Sequence, residues 1–146
     1  MGASTATAAF GSLDLATGSF RWVSAGHPPP LLARRGKATS EVPVKPVVPI
    51  GLGGTHPHLN EVVLEPGDHL LLYTDGATES GPRGGERFGI DRLADLLGRS
   101  LLDGLPLAET VRRLVLAVLE HSEYRLQDDT TVMLVEYRAP TRPEPG

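Results

Sequence analysis

The chain has 146 residues, of which 40% are hydrophobic, enough for one domain with its own core. Its formal net charge of −4 argues against a nucleic-acid or anionic membrane partner, because either would call for a basic face. The absence of cysteine excludes disulfides and thiolate metal sites and fits a reducing compartment, so we expect a cytoplasmic protein. No apolar run approaches the roughly 20 residues of a membrane span, and we expect no signal peptide.

The first half of the chain predicts antiparallel strands. Residues 5–33 combine β-forming residues, a Gly-containing turn and a Pro-rich break, which predicts a hairpin and then a further strand, with Phe20 and Trp22 in the core. Residues 36–58 are rich in Gly, Pro, Thr and Ser and predict a loop, of which "VVPIGL" could contact the core. In "EVVLEPGDHLLLYTD" the Pro-Gly-Asp sequence at residues 66–68 predicts a tight turn and a second hairpin.

The second half predicts two helices and a last strand. After the polar loop "GPRGGER", apolar residues at helical spacing predict a short helix over residues 90–97 that stops at Gly98. A longer amphipathic helix is predicted from about Pro106 to about His121. "TTVMLVEY" is β-branched and apolar and predicts a strand, whereas residues 139–146 predict a disordered Pro-rich tail.

Three aspartates stand where predicted strands end or begin. If "HLLLYTD" and "TTVMLVEY" pair antiparallel, the end of the first meets the start of the second, and Asp75 lies near Asp128 and Asp129. Carboxylates at one rim repel each other unless a cation offsets them, and oxygen ligands favour Mg²⁺ or Mn²⁺. The same spacing also fits two solvated turns, so the pattern alone leaves both interpretations open.

Two other groups of polar residues are weaker candidates. His56, His58 and His69 could bind zinc, but the first two stand in a Pro-rich loop without the carboxylate or cysteine neighbours of a firm site. Arg83 and Arg87 stand among glycines and could form a mobile flap that attracts phosphate. A solvated loop is the simpler interpretation of that segment.

Five segments carry a resemblance to a known family: "SLDLATGSFRWVSAGHPPPLL", "PIGL", "LEPGDHLLLYTDGATES", "GERFGIDRL" and "QDDTTVMLV". In order and spacing they resemble the C-terminal half of the metal-dependent Ser/Thr phosphatases (PPM, or protein phosphatase type 2C). The match is closest to the bacterial SpoIIE-like, RsbU-like branch and extends over roughly residues 5–137. Residues 1–138 are therefore interpreted as the C-terminal portion of a SpoIIE-like phosphatase domain.

The resemblance implies an α+β fold, part of an αββα sandwich with antiparallel sheets, outer helices and a two-metal site at one end. It implies hydrolysis of phosphoserine or phosphothreonine in a protein by a metal-bridged water, with two Mn²⁺ or Mg²⁺ ions as cofactors. By analogy with the branch, the phosphoprotein substrate is an anti-sigma-factor antagonist.

The resemblance also assigns the site residues. Asp75 matches the metal-binding Asp-Gly of the family, and Asp128 matches the metal-binding Asp of its last motif; no catalytic residue is implied beyond the ligands. Gly76 and Asp129 are expected to support the ligands without binding a metal themselves. Gly76 would let the chain turn without crowding an ion. His27 in "AGHPP" is expected to orient a nearby loop.

The N-terminal metal-binding motifs of the family are not found in this sequence. The family normally carries a Gly-Asp-aromatic-x-Asp motif there, whereas the other aspartates upstream of Asp75 are Asp14 and Asp68, both in predicted turns. We therefore expect a fragment, a truncated gene product or one piece of a larger assembly, and self-association could complete the sheets. The alternative to an enzyme is a non-catalytic pseudophosphatase remnant that binds a regulatory protein.

Overall fold

The computed structural model describes residues 6–43, 58–125 and 129–141. None of the helices in these ranges is long and apolar enough to cross a bilayer. In chain order the described elements are β1 (Ala8–Leu13), β2 (Ser19–Ala25), β3 (Leu31–Ala33), β4 (Ser40–Glu41), β5 (Asn60–Val63), β6 (His69–Tyr73), α1 (Asp75–Thr78), α2 (Ile90–Leu102), α3 (Leu107–His121) and β7 (Val132–Glu136).

The described strands form two antiparallel sheets, with the orders β1-β2-β5 and β4-β3-β6-β7. Helices α2 and α3 pack on the four-stranded sheet, through β3 and β7 respectively. The α+β class with two antiparallel sheets is therefore confirmed. Among the described residues the layers run from helices to the four-stranded sheet to the three-stranded sheet.

One hydrophobic core lies between the two sheets. Strand β2 alternates buried and less buried residues, as expected when one face of a strand packs against the interior. Phe20 and Trp22 point inward with their rings stacked 5.2 Å apart, which confirms their predicted place in the core. Leu70 and Tyr137 from the other sheet complete the contact.

The second core lies between the four-stranded sheet and the helices. Its strand residues include Leu31, Leu71 and Leu134, and the helices contribute the apolar stripe that their spacing predicts. The buried residues of α2 and α3 in this core are Leu93, Leu97, Leu101, Leu114 and Val118. This packing fixes α2 and α3 on the sheet that carries β6 and β7.

The predicted hairpin of β5 and β6 is wrong, because β5 pairs with β2 in one sheet and β6 pairs with β3 and β7 in the other. The tight turn itself is present: the Asp68 N–H donates to the Glu65 carbonyl at 2.9 Å, and Gly67 has a φ of +93°. The Asp68 carboxylate is buried and accepts a hydrogen bond from Arg34 Nη2 at 2.7 Å. That tertiary contact holds the turn where the chain passes from one sheet to the other.

The predicted stop of the first long helix at Gly98 is also wrong, since α2 continues to Leu102. A Cβ at Gly98 would lie 2.7 Å from Thr39 Oγ1, so this glycine permits a close approach of the loop before β4. The helix ends instead at Asp103 and Gly104, where Gly104 has a φ of +65°.

The remaining element predictions have mixed outcomes. Helix α3 covers Leu107–His121 directly after Pro106, and both the β1–β2 hairpin and strand β7 are confirmed. Within the predicted loop, β4 forms a two-residue strand, whereas "VVPIGL" lies outside the described residues. Of the predicted tail, residues 139–141 have no helix or strand, and the rest lies outside the described ranges.

Candidate metal centre

The candidate site lies where β6 ends and β7 begins. The two strands pair antiparallel in a register that places Tyr73 opposite Val132. Beyond that pair the Thr74 N–H donates to the Thr131 carbonyl at 3.0 Å, and the Thr131 N–H donates to Thr74 Oγ1 at 2.9 Å. The predicted meeting of these two strand ends is thus confirmed at the level of the backbone.

Asp75 is the first residue of the short helix α1. Thr74 before it is extended, with φ −96° and ψ 161°, and the Asp75 carbonyl accepts hydrogen bonds from the Glu79 N–H at 2.8 Å and Thr78 Oγ1 at 3.3 Å. These bonds turn the chain sharply away from the sheet. The Asp75 side chain is exposed at the rim, where it is open to a cation or a substrate.

Gly76 lies against the segment that precedes β7. A Cβ built on this glycine would lie 2.3 Å from the Asp129 carbonyl oxygen and 2.8 Å from Thr130 Oγ1. Any larger side chain would therefore separate the two segments. The prediction gave Gly76 the task of leaving room for an ion; the structure adds that it allows the backbones bearing Asp75 and Asp129 to touch.

The polar groups at this rim are oxygen donors. Asp129 is exposed, and its carbonyl accepts a hydrogen bond from Thr74 Oγ1 at 3.3 Å. Thr130 Oγ1 is buried and has no hydrogen-bond partner. Carboxylate, carbonyl and hydroxyl oxygens suit hard cations such as Mg²⁺ and Mn²⁺, so the donors present fit a divalent ion.

The described residues do not supply a complete set of metal ligands at this rim. Asp128, the second predicted ligand, lies outside the described residues. Across residues 6–43, 58–125 and 129–141, no group of three or more His, Cys, Asp or Glu side chains converges as a metal site. The described residues thus supply one part of a cation site around Asp75.

The predicted histidines lie in different parts of the fold. His27 follows β2 in the three-stranded sheet; its carbonyl accepts from Ser24 Oγ at 3.2 Å, and its Nδ1 is buried without a partner. His69 is buried in β6, with Nε2 3.6 Å from Glu136 Oε1, whereas His58 is exposed before β5. His56 lies outside the described residues.

A loop over residues 79–89 borders the candidate site. Together with Gly76 this loop lines a cleft of about 570 Å³. The predicted flap arginines, Arg83 and Arg87, are among the lining residues. The Phe88 N–H donates to the Ser80 carbonyl at 2.7 Å, and the Gly89 N–H donates to the Thr78 carbonyl at 2.8 Å. These bonds close the loop on the end of α1.

Sequence reasoning missed the residues that anchor this loop. Phe88 is buried in the helix-facing core, and its ring meets that of His121 edge to face, with centroids 5.6 Å apart. Phe88 could have been found as an isolated aromatic residue in a polar segment. His121 could not, because its contacts come from residues about 30 positions earlier in the chain.

Comparison with known proteins places this arrangement in a family. Residues 2–138 match the family model described as Stage II sporulation protein E (SpoIIE). Protein IcfG from Synechocystis sp. is 26% identical over 134 residues, which cover 91% of this chain and 20% of that protein.

Solved structures have a similar fold. The RsbU and RsbW domains of Rv1364c from Mycobacterium tuberculosis superpose with a TM-score of 0.77 at 32% identity, covering 93% of this chain and 37% of that one. The phosphatase domain of the cell fate determinant SpoIIE from Bacillus subtilis, presoaked with manganese, has a TM-score of 0.67 at 23% identity, covering 94% of this chain and 59% of that one.

The chain thus spans a fifth of the length of the curated relative and between about a third and three fifths of the two solved chains. Its two antiparallel sheets, its helices on one of them and the match over residues 2–138 agree with one another. The protein belongs to the SpoIIE family and has the fold of a protein phosphatase type 2C domain.

Proposed function

We propose that this chain contributes one side of the active site of a divalent-metal-dependent phosphatase that hydrolyses phosphoserine or phosphothreonine in a protein. The observation that carries the proposal is the contact between Gly76 and the Asp129 segment, which brings Asp75 and Asp129 to one rim. Membership of the SpoIIE family supports the reaction class.

Asp75 and Asp128 are the proposed ligands, with Asp129, Gly76 and His27 in supporting roles. A carboxylate at the first residue of α1 is exposed and free to bind an ion, and manganese was introduced into the related Bacillus subtilis phosphatase domain. Two Mn²⁺ or Mg²⁺ ions, when bound, would supply Lewis acidity toward the phosphoryl group. The chain's own contribution is to hold Asp75 and Asp129 at the end of the β6–β7 strand pair.

The proposed substrate is a phosphorylated anti-sigma-factor antagonist in the cytoplasm. The M. tuberculosis relative joins RsbU and RsbW domains, which supports a regulatory protein as the partner. The net charge of −4 and the cysteine-free composition are compatible with this setting. The exposed cleft beside Asp75 offers space for a peptide segment that carries the phosphate.

The test is Mn²⁺ binding by the purified chain, together with Mn²⁺-dependent hydrolysis of a phosphothreonine peptide. Asp75→Asn removes one carboxylate charge at the rim with little change in shape, and we expect it to weaken Mn²⁺ binding and to abolish any hydrolysis. Asp103→Asn removes the same charge from the exposed end of α2 and serves as the matched control. Equal Mn²⁺ affinity in the wild type and Asp75→Asn would contradict the proposed role of Asp75.

A protein-binding remnant without activity is the second candidate. It is favoured by two apolar side chains, Phe10 and Val63, that are exposed on the three-stranded sheet. This candidate predicts no measurable Mn²⁺ binding by the chain. Metal binding that depends on Asp75, even without hydrolysis, would decide against it.

A further inference from the structure

The ring of His121, at the last residue of α3, joins three parts of the molecule. Its Nε2 lies 2.6 Å from the Glu86 carbonyl oxygen in the loop over residues 79–89. Its Nδ1 lies 2.8 Å from Arg92 Nη1 on α2. The Phe88 ring packs against it edge to face. One side chain therefore ties the loop beside the candidate site to both long helices.

The chemistry of the two partners fixes where the proton of this imidazole lies. An arginine guanidinium has only donors, so Nδ1 of His121 must accept the hydrogen bond from Arg92. A backbone carbonyl has only lone pairs, so Nε2 must carry the hydrogen and donate it to Glu86. Both contacts can be made only by the neutral ring with its proton on Nε2.

Loss of the ring would remove both of these contacts at once. The charged groups beside the ring are the Arg92 guanidinium from α2 and, 3.4 Å from that guanidinium, the Glu86 carboxylate from the loop. This ion pair joins the same two elements, the loop and α2, next to the imidazole.

The loop over residues 79–89, which His121 contacts, also forms a wall of the cleft beside Asp75. Arg83 and Arg87 are among the residues that line the cleft, and Glu86 and Phe88 flank Arg87 in the same loop. The loop closes on the end of α1 through the N–H groups of Phe88 and Gly89. Because α1 begins at Asp75, a shift of this loop changes the shape of the cleft at the rim. The contacts of the His121 ring are thus coupled to the shape of the cleft at the candidate site.

We infer that His121, with its proton on Nε2, is a positioning residue that holds the loop over residues 79–89 in place beside α1. The coupling to turnover rests on the proposed phosphatase function, whereas the contact itself does not. The two parts can therefore be tested separately.

The first test is NMR on the ¹⁵N-labelled chain. We expect the His121 ring, identified by its loss in His121→Gln, to carry its proton on Nε2 and its Nδ1 to show an acceptor's shift. Amide exchange of Phe88 and Gly89, corrected for intrinsic rates, should rise about tenfold in His121→Ala, the factor expected when one hydrogen bond is lost.

A conservative variant separates a positioning role from a merely structural one. Gln at this position retains an acceptor and a donor, so His121→Gln should keep the amides of Phe88 and Gly89 protected as in the wild type. His58→Gln, which changes an exposed histidine before β5 in the other sheet, should also behave like the wild type.

Either of two results would overturn the inference: an Nδ1–H tautomer of His121, or equal protection of these amides in the wild type and in His121→Ala. If hydrolysis is measurable, His121→Ala should raise KM for the phosphopeptide more than it lowers kcat. If no hydrolysis is found, the exchange and tautomer results still decide the inference, so its failure is distinct from failure of the proposed function.

Discussion

At the scale of single residues, the contact of Arg34 with Asp68 shows how burial determines the contribution of an ion pair to stability. Asp68 is 2% exposed, and it accepts hydrogen bonds from Arg34 Nε and Nη2 and from the Glu65 N–H, the last at 2.7 Å. Arg21 and Glu61 pair at 2.8 Å with side chains 60% and 45% exposed. Exposed pairs contribute little because water and salt screen them, whereas breaking a buried pair leaves a charge without a partner.

We expect Asp68→Asn to lower the free energy of unfolding by about 2 kcal/mol, because the buried Arg34 contact loses its counter-charge. Glu61→Gln, the matched change in the exposed pair, should cost under about 1 kcal/mol. Urea unfolding of both variants at neutral pH measures the difference. Equal losses at the two positions would mean that the turn at residues 65–68 does not depend on its ion pair.

At the scale of elements, Gly98 illustrates a helix glycine kept for contact. An alanine in an exposed helix interior is usually more stable than glycine by about 1 kcal/mol. Here the added Cβ would lie 2.7 Å from Thr39 Oγ1, an atom that is buried without a hydrogen-bond partner. The intrinsic gain and the steric cost therefore oppose each other at this position.

We expect Gly98→Ala alone to be neutral or destabilising, since the contact with Thr39 offsets the gain in helix propensity. In the background of Thr39→Ala, which removes the opposing hydroxyl, the same change should stabilise by about 1 kcal/mol. Thermal unfolding of the wild type, the two single variants and the double variant completes a double-mutant cycle that measures the coupling between the two positions. A stabilising effect of Gly98→Ala in the wild type would show that the loop before β4 moves away without cost.

Element predictions from the sequence succeeded where a local pattern was sufficient. The period of apolar residues located α3, and β-branched residues located β7, because these patterns report directly on which side of an element is buried. They failed for the pairing of β5 with β6 and for the helix stop at Gly98, where the decisive contacts are tertiary, among them those of Arg34 and Thr39. Local turn and stop signals describe the backbone but not its tertiary partners.

The candidate site divides in the same way. Antiparallel pairing of two recognisable strands was enough to predict that Asp75 and the Asp129 segment meet. The His121 contacts with Glu86 and Arg92 required knowledge of how α2 and α3 pack, which no spacing in the sequence reports. The role of Asp128 as a ligand stays a prediction.

At the scale of the whole molecule, the layers are asymmetric. Helices cover one face of the four-stranded sheet, whereas the outer face of the three-stranded sheet carries Phe10 and Val63, which are 70% and 55% exposed. Apolar side chains on a solvated face contribute little burial energy. The stability of the chain by itself therefore comes from the two cores on either side of the four-stranded sheet.

We expect Phe10→Thr to change the free energy of unfolding by under about 0.5 kcal/mol, because the ring buries little surface. Leu71→Ala, in the helix-facing core, should cost about 3 kcal/mol. Chemical unfolding at two protein concentrations measures both. A large, concentration-dependent loss in Phe10→Thr would contradict the exposed state and would show that a second copy covers this face.

The pairing of Thr74 with Thr131 has a consequence for the order of biosynthesis. These residues are 57 positions apart, and the bond between them requires β7, the last described strand, to have docked on β6. Contacts between distant parts of a chain form slowly because a long loop must close first. A ribosome-bound chain that stops short of residue 132 cannot assemble the rim around Asp75, so this rim forms only after strand β7 has emerged.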